Sequence, residues 1–401
     1  VDELFLPAPH IRQYQNPSLK PFISVQFNFY YYISYYCMRN RRQFVKIIFG
    51  FFATIFSLKY FKTAQAENPL PYHHLPDGTF RNLPGGPKRE VPSNHSSLNF
   101  FRFFYKGIIK REMFDQKEIP DNIPPDHALP QKTALEQFQE NTDSVSVSWL
   151  GHAAFLIKLG KQYLLTDPFL SKTAGPLGIG PDRYVPAGIK ISDLPDINTI
   201  LISHNHYDHL DTTTLKKIKN KNIVTVICPL NLFKTVSSLG YKKVIELDWY
   251  DEQKNNNFNV TAVPVYHWSR RLGQKYNSTL WNGYIITYQS KKIYFSGDTA
   301  FGPMFSEIGE KLGPFDLTII SIGAYEPRGM MQASHCTPEE AVEITSMLTS
   351  KNILGMHWGT IRLSAEDPWE PPVKFKKAAK LKGYQAHQIW QLSIGETKSL
   401  I

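Results

Sequence analysis

The stretch that decides the fold is Ser203-His204-Asn205-His206-Tyr207-Asp208-His209-Leu210-Asp211. It follows residues 198–202, a short apolar and β-branched run that is typical of a buried strand. Because alternate side chains of an extended segment point the same way, His204 and His206 can bind one metal ion together. The chain then turns, which lets Asp208 and His209 face a second ion. The pattern therefore predicts a two-metal hydrolytic site, and the alternative is a polar loop that binds no metal.

Three further residues with metal-binding side chains each follow an apolar segment that we interpret as a strand. They are His267, Asp298 and His357. In α/β folds, ligands gather at the rim of a sheet where strands end. Each of these residues alone is equally compatible with a core histidine or a capping aspartate. Together with residues 203–211, hereafter the metal loop, they complete two coordination shells.

The predicted site contains five histidines, two aspartates and no cysteine. Nitrogen and oxygen ligands of this kind suit Zn²⁺ and also tolerate Fe or Mn. The predicted ligands of the first ion are His204, His206 and His267, those of the second are Asp208, His209 and His357, and Asp298 bridges the two. A hydroxide held between two ions is a nucleophile at neutral pH, and both ions stabilise the developing oxyanion.

Two other residues are candidates to act around the ions. Asp167 ends an apolar strand and precedes Pro168, so it is either a carboxylate that orients the metal loop or the cap of a turn. His335 precedes Thr337-Pro338-Glu339-Glu340, which predicts a helix start with a capping box. Because phosphate binds readily at helix N-termini, His335 either orients or protonates a phosphate oxygen or packs at the helix entry.

Composition argues against a nucleic-acid-binding protein. The 401 residues are 42% hydrophobic, enough for a large core, and the net charge is +10. Residues 1–66 hold eight Lys and Arg against two acidic residues, or +6, so the rest carries 37 positive against 33 negative charges, only +4. The three cysteines, Cys37, Cys228 and Cys336, form neither a disulfide framework nor a Cys-rich zinc site.

Residues 38–66 have the features of a signal peptide. A basic head (38–46) precedes a twelve-residue apolar run (47–58) and the small-residue pattern Ala64-Gln65-Ala66. The Arg41-Arg42 pair resembles the twin-arginine export motif, so we expect a bacterial protein that is exported, periplasmic or peripheral to the membrane. The alternative is an uncleaved amphiphilic anchor. We expect residues 1–37 to be an over-extended gene start or an upstream segment, which N-terminal sequencing would decide.

Residues 67–140 are predicted to form an N-terminal arm and an amphipathic segment. Residues 67–92 are rich in Pro, Gly and His, which is typical of loop structure. His73-His74 have no acidic or cysteine neighbours in the sequence, so we interpret them as packing or surface residues rather than metal ligands. Residues 98–111 combine an aromatic face with a basic stripe, and such a helix either lies in a membrane interface or packs on its own domain.

From residue 145 onward, short strands alternate with helices, and the motifs become recognisable. The metal loop, Asp167, His267, Asp298 and His357 resemble the five motifs of the metallo-β-lactamase superfamily. From about Pro71 to the C-terminus the chain resembles N-acylphosphatidylethanolamine-hydrolysing phospholipases D. That resemblance rests on Trp149-Leu150-Gly151-His152, Leu165-Thr166-Asp167-Pro168, Ile322-Gly323-Ala324-Tyr325-Glu326-Pro327-Arg328, His357-Trp358-Gly359-Thr360 and Glu370-Pro371-Pro372-Val373-Lys374.

The resemblance implies an α/β fold, a four-layer αββα sandwich, over residues 141–401. It also implies a dizinc phosphodiesterase in which water attacks phosphorus of an N-acylated phospholipid, giving phosphatidic acid and an N-acylethanolamine. Asp208, Asp298 and His335 would be catalytic, and Tyr207 and His335 would lie near the substrate phosphate. Mammalian members carry Gln where this chain has Ser334.

The resemblance further implies a homodimer that meets membranes through its phospholipid substrate, without a nucleic-acid partner. Three rival interpretations remain. The fold would serve hydrolysis of another phosphodiester, hydrolysis of a lactone, or metal and lipid binding without catalysis. The last is disfavoured, because a complete set of ligands for two ions with a bridging carboxylate is rarely needed for binding alone.

Overall fold

The computed structural model describes residues 70–88, 119–254 and 257–401. The predicted signal peptide, the segment upstream of it and the amphipathic segment at 98–111 lie outside the described residues. Within the described ranges, none of the helices has the length and apolar character needed to cross a membrane. The described residues from Tyr72 onward belong to one compact unit.

The first of two seven-stranded sheets in the described chain is built mainly from residues 145–247. Its strands are β1 (Val145–Gly151), β2 (Ala154–Leu159), β3 (Gln162–Thr166), β4 (Thr199–Leu201), β5 (Thr225–Pro229), β6 (Lys243–Leu247) and the C-terminal β14 (Thr397–Ser399). The order is β14-β1-β2-β3-β4-β5-β6, antiparallel from β14 to β3 and parallel from β3 to β6. These strands agree with the short strands predicted from residue 145 onward, and β4 is the apolar, β-branched run before the metal loop.

The second sheet is built from residues 252–390. Its strands are β7 (Glu252–Lys254), β8 (Asn259–Val263), β9 (Gly283–Tyr288), β10 (Lys291–Phe295), β11 (Phe315–Ser321), β12 (Ser350–Met356) and β13 (Ile389–Trp390). The order is β13-β12-β11-β10-β9-β8-β7, parallel from β10 to β13 and antiparallel from β7 to β10. Parallel strands need long crossovers, which here are loops and helices on the outer face.

The two sheets pack face to face, and helices cover both outer faces. Helices α1 (Gln131–Glu140), α2 (Thr212–Lys217) and α3 (Phe233–Ser237) cover the first sheet, α4 (Met304–Leu312), α6 (Pro338–Met347) and α7 (Glu370–Leu381) cover the second, and α5 (Arg328–Met331) lies in a connection. Side chains such as Phe155 and Phe295 fill the space between the sheets. Phe305 and Phe375 bury helices α4 and α7 against the second sheet, each contributing roughly 1.5–3 kcal/mol. The predicted αββα sandwich is confirmed.

The predicted capping box of α6 is also confirmed. The Thr337 hydroxyl accepts a hydrogen bond from the Glu340 amide, and the Glu340 carboxylate accepts one from the Thr337 amide. Arg328 pairs with the same carboxylate and donates to the carbonyl of His335 at 2.7 Å. The start of α6 and the backbone of His335 are therefore held as one unit.

Candidate metal centre

The metal loop leaves the first sheet at the carboxyl end of β4, and the remaining predicted ligands come from the second sheet. Asp298 follows β10, His357 follows β12 and His267 follows β8. The Asp211 carboxylate closes the loop by capping α2, where it accepts a hydrogen bond from Thr213 at 2.9 Å. Strand ends of the two packed sheets thus meet at one rim, which is where the predicted ligands gather.

Three imidazoles and one carboxylate form the first group of ligand atoms. His206 Nδ1 lies 2.7 Å from His204 Nε2 and 3.2 Å from His267 Nε2. Asp298 Oδ2 lies 3.7 Å from His267 Nε2 and 3.9 Å from His204 Nε2. All four ligand atoms lie within 4.8 Å of one another. The structure therefore brings together the residues predicted for the first ion.

The second group lies on the other side of Asp298. Asp208 Oδ2 is 3.5 Å from His209 Nε2 and 3.6 Å from His357 Nε2. Asp298 places Oδ2 3.2 Å from His209 Nε2 and Oδ1 3.1 Å from His357 Nε2. The two oxygens of Asp298 thus reach both groups, which is the placement a bridging carboxylate needs. That these seven residues bind metal stays a prediction.

Several of these atoms are buried and unpaired, which is the test of whether the residues fit metal ions. His209 Nε2, His357 Nε2 and Asp298 Oδ1 have no hydrogen-bond partner among the described residues. Leaving a buried polar atom unpaired costs roughly 1–3 kcal/mol. A cation coordinated by these atoms removes that cost. The residues present therefore fit a pair of ions, and their nitrogen and oxygen atoms suit Zn²⁺, Fe or Mn.

The two groups differ in charge. Burial lowers the pKa of His204 well below its usual value, that of His206 to about 3 and that of His267 to about 4. These imidazoles are neutral and offer lone pairs. Burial also opposes the charged form of His357, but Asp298 and Asp208 outweigh it and raise its pKa to about 9. Positive charge is therefore favoured beside the two carboxylates.

Asp167 makes the contacts expected of a carboxylate that orients the metal loop. It is fully buried, and its Oδ1 accepts a hydrogen bond from the amide of Ser203 at 2.7 Å. Its Oδ2 accepts from the Ser203 hydroxyl at 2.5 Å and from His209 Nδ1 at 2.7 Å. A hydrogen bond to one ring nitrogen fixes the other nitrogen toward an ion.

His335, predicted as a catalytic residue, lies beside the ligands but is not one of the seven. Its Nδ1 is 4.0 Å from Asp298 Oδ2, and its ring centroid is 5.3 Å from that of His267 and 5.5 Å from that of His357. The side chain is buried, and Nδ1 has no hydrogen-bond partner among the described residues. The position is suited to contact a substrate held at the ions.

Tyr207, predicted to bind substrate, connects the metal loop to residues 268–276, hereafter the rim loop. Its hydroxyl accepts a hydrogen bond from the Leu272 amide at 3.1 Å, and the Arg271 guanidinium lies 3.9 Å above its ring. Arg271 also donates to the carbonyls of Asn205 and Leu210. Tyr207 therefore helps to hold the rim loop against the metal loop.

Two residues that contact the ligands were not predicted from the sequence as part of the site. His152, in the turn between β1 and β2, lies 2.8 Å from Asp208 through its Nε2. Asn82, in the N-terminal arm, donates to the carbonyl of His267 at 2.9 Å and accepts from its amide at 3.1 Å. The only local signal for His152 is the Gly151-His152 pair at a strand end. Asn82 lies 185 residues from His267, so no spacing pattern could reveal it.

His73 and His74 acquire an acidic partner that is remote in the sequence. Asp248, just after β6, accepts a hydrogen bond from His73 Nε2 at 2.6 Å and from His74 Nε2 at 2.7 Å. The absence of an acidic neighbour in the sequence therefore does not exclude these two histidines as metal ligands. The interpretation as packing residues agrees with the stacking of His73 on Trp249, whose ring centroids are 4.1 Å apart.

The fold and the ligand set define the class: the chain is a metal-dependent hydrolase of the metallo-β-lactamase superfamily. A beta-lactamase superfamily domain model matches residues 162–358. A metal-dependent hydrolase of Pyrococcus abyssi is 29% identical over 238 residues, covering 58% of this chain and 91% of that protein. The fold is shared with the crystal structure of a possible metal-dependent hydrolase from Veillonella parvula, with a TM-score of 0.53 at 15% identity, covering 64% of this chain and 100% of that one.

A second comparison narrows the class to a family. The N-acyl-phosphatidylethanolamine-hydrolyzing phospholipase D 1 of Caenorhabditis elegans is 34% identical over 292 residues, which cover 70% of this chain and 81% of the worm protein. The chain therefore belongs to the N-acylphosphatidylethanolamine-hydrolysing phospholipase D family. The resemblance inferred from the sequence motifs is confirmed.

Proposed function

We propose that this protein is a phospholipase D-type phosphodiesterase that hydrolyses N-acylphosphatidylethanolamine to phosphatidic acid and an N-acylethanolamine. The observation that carries the proposal is the similarity to the worm enzyme, which extends well beyond the ligand motifs. The metal centre supports it, because Asp298 lies beside both groups of ligand atoms, an arrangement suited to two ions and an in-line displacement at phosphorus.

Two Zn²⁺ ions bound at this centre would supply a hydroxide at neutral pH and stabilise charge that develops on the phosphoryl oxygens. The protein's own residues would hold the ions and orient the substrate phosphate. Asp298 reaches both groups of ligand atoms, and Asp208 serves the second group. His335 lies close enough to Asp298 to donate a hydrogen bond to a phosphate oxygen held at the ions. In this role His335 orients the phosphate or protonates the leaving oxygen.

A product assay tests the substrate. Enzyme loaded with Zn²⁺ is incubated with N-acylphosphatidylethanolamine, with ordinary phosphatidylethanolamine and with a generic phosphodiester, and Asp298→Asn serves as the inactive control. We expect N-acylethanolamine and phosphatidic acid from the first substrate at the highest kcat/KM. Preference for the generic phosphodiester, or activity only on a lactone, would assign the chain to another reaction of the superfamily.

We also propose that the rim loop meets a phospholipid surface. The Leu272 side chain is 80% exposed and that of Tyr276 51%, and the exposed Arg270 lies beside them. Trp268 links this loop to the metal centre, because its ring lies 4.3 Å from that of His206 and 5.5 Å from that of Tyr276. An apolar tip flanked by a cation suits insertion between anionic headgroups.

Vesicle binding tests this surface. Leu272→Ser should weaken binding to vesicles of phosphatidylcholine and phosphatidylglycerol, with no loss of hydrolysis of a short-chain soluble substrate. Leu381→Ser is a matched control, because Leu381 is 81% exposed at the end of α7. Equal vesicle binding by the two variants would mean that the rim loop does not contact the membrane.

Export and dimerisation complete the proposal. The proposed location is the periplasm or the periplasmic membrane surface, on the basis of the features of residues 38–66. The proposed homodimer rests on the family resemblance. Cell fractionation tests the first, and sedimentation velocity of the purified protein tests the second.

A further inference from the structure

His152 contacts two ligands of the second ion without having been predicted as a ligand itself. Its side chain reaches Asp208, with 2.8 Å between His152 Nε2 and Asp208 Oδ2. Its carbonyl accepts a hydrogen bond from the His357 amide at 3.2 Å. Its ring centroid lies 3.9 Å from that of His357. His152 therefore touches the second group from both its side chain and its backbone.

The distance between His152 and Asp208 identifies their contact as a direct hydrogen bond. Ligand atoms about 2.0–2.1 Å from a tetrahedral ion lie about 3.3 Å from one another. The separations of Asp208 from His209 and His357, 3.5 and 3.6 Å, are close to that value. The 2.8 Å from His152 to Asp208 is shorter and is the length of a hydrogen bond, as is the 2.7 Å between the ligand atoms of His204 and His206.

Hydrogen-bond satisfaction indicates which nitrogen of His152 carries the hydrogen. His152 Nδ1 is buried and has no hydrogen-bond partner among the described residues. A carboxylate only accepts hydrogen bonds, so the 2.8 Å contact with Asp208 requires a hydrogen on the imidazole nitrogen. The hydrogen therefore belongs on Nε2, where it is donated to Asp208. A protonated Nε2 has no lone pair left for an ion.

The backbone of His152 is fixed in a way that preserves this contact. Its φ of +58° lies in the left-handed region. Its amide donates to the Thr360 hydroxyl at 2.8 Å, and its carbonyl also accepts from Trp149 Nε1 at 2.9 Å. The bonds with the Thr360 hydroxyl and the His357 amide link the β1–β2 turn of the first sheet to the residues after β12 in the second. The imidazole is thus held rigidly at the seam where the second ion would bind.

We propose that His152 is a positioning residue for the second ion: its Nε2–H fixes the Asp208 carboxylate in the ligating orientation, while its carbonyl holds the backbone of His357. Hydrogen bonds to ligating groups typically change metal affinity by about 10–100-fold. The inference rests on the two-ion centre of the proposed function. It predicts an effect on the second ion alone, because the first group contains neither Asp208 nor His357.

Metal titration of three proteins tests the proposal. His152→Asn tolerates a positive φ but is too short to reach Asp208, whereas His152→Gln places an N–H donor near the position of Nε2. Zn²⁺ affinities are measured for the original chain and both variants by competition with a chromogenic chelator. We expect the Asn variant to bind the second ion about 10–100-fold more weakly, the Gln variant to recover part of the loss, and the first ion to bind equally in all three.

The outcomes separate this inference from the proposed function. Fewer than two ions in the original chain would contradict the two-ion function itself. Two ions with unchanged affinities in the Asn variant would overturn the role of His152 alone. A second ion that binds neither variant even at saturating Zn²⁺ would make His152 a ligand and also overturn it.

A second test uses the unsubstituted protein, so its result does not depend on whether the variants fold. In ¹⁵N-histidine NMR of the Zn²⁺-loaded enzyme, we expect the His152 ring to keep a hydrogen on Nε2, seen as a one-bond N–H coupling protected from solvent exchange. A metal-bound Nε2 carries no hydrogen, so absence of that coupling would overturn the proposal.

Discussion

Histidines and carboxylates meet at two places in this molecule, and the two clusters differ in how their polar atoms are satisfied. At the rim of the sandwich, the metal centre gathers atoms from the metal loop, His267, Asp298 and His357. Beside the N-terminal arm, His73, His74 and Asp248 form a smaller cluster, hereafter the arm clasp. Both clusters have the residue types and the spacing of a metal site.

In the arm clasp, each imidazole donates to a different oxygen of Asp248, at 2.6 and 2.7 Å, so both oxygens of the carboxylate have hydrogen-bond partners. In the metal centre, buried atoms of His209, His357 and Asp298 have no hydrogen-bond partner among the described residues. Convergence of ligand types therefore does not define a metal site. The unpaired buried atoms indicate which cluster fits cations, whereas the arm clasp is already satisfied as a set of hydrogen bonds.

The largest expected effect follows from removing a shared ligand. Asp298→Asn should lower activity by more than about 1,000-fold and release metal, because Asp298 reaches both groups of ligands. His206→Ala should behave similarly at the first ion. Metal content by mass spectrometry and far-UV circular dichroism measure metal loss and retention of the fold.

The matched control is Asp248→Asn, which removes the carboxylate of the arm clasp. We expect this variant to keep two ions per chain and activity close to that of the original. Loss of an ion from Asp248→Asn would mean that the arm clasp binds metal, and the distinction drawn from unpaired atoms would be wrong.

The sequence predicts the ligands of the metal centre better than it predicts the residues that hold those ligands in place. The reason is how far apart in the sequence the contacting residues lie. Asp298 and His357 follow apolar strands directly, so a local pattern places each at a strand end. His152 meets Asp208 only after the strands of the first sheet have paired, and Asn82 and Asp248 meet their partners only after the arm has folded back. Their bonds span 56, 185 and 175 residues.

Two of the strands that were not predicted from the sequence have a similar explanation. β14 (Thr397–Ser399) is short and polar, and it becomes a strand by pairing with β1 at the sheet edge. β13 has two residues and depends on β12 in the same way. Neither segment has an apolar period of its own, so only the completed sheet defines them.

The second expected effect concerns a residue next to the ions. His335→Ala should lower kcat by about 100-fold while both ions remain bound, because His335 lies 4.0 Å from Asp298 and is not one of the seven predicted ligands. Steady-state kinetics and metal analysis of the same sample test this. Wild-type kinetics would leave His335 as a packing residue, and loss of an ion would make it a ligand.

A smaller effect is expected where the arm meets the metal centre. Asn82→Ala removes the hydrogen bonds to the amide and carbonyl of His267 and one to Trp281. His267 should become less rigid, so the first ion should bind about tenfold more weakly and the second ion should be unaffected. Asn231→Ala is a control on an exposed turn. If Asn82→Ala and Asn231→Ala bind the first ion with equal affinity, the arm does not support the metal centre.

The smallest effect is expected at the arm clasp itself and depends on pH. Burial would raise the pKa of Asp248, but the hydrogen bonds from His73 and His74 outweigh it and hold the pKa well below the usual range of an aspartate. A carboxylate with a lowered pKa in the folded state adds stability above its unfolded pKa and loses it as the pH falls through the folded value.

The original chain should therefore lose clasp stability below about pH 4, and Asp248→Asn should be less stable than the original by about 1–3 kcal/mol at pH 7. The gap between the two should begin to narrow below about pH 4, because the unfolded original then takes up a proton that the folded carboxylate does not, and it should close only as the pH falls through the lowered folded pKa. Urea unfolding of both proteins at pH 7, 5 and 3.5 measures the gap. A gap that stays constant across these pH values would mean that the charge of Asp248 contributes nothing to the arm clasp.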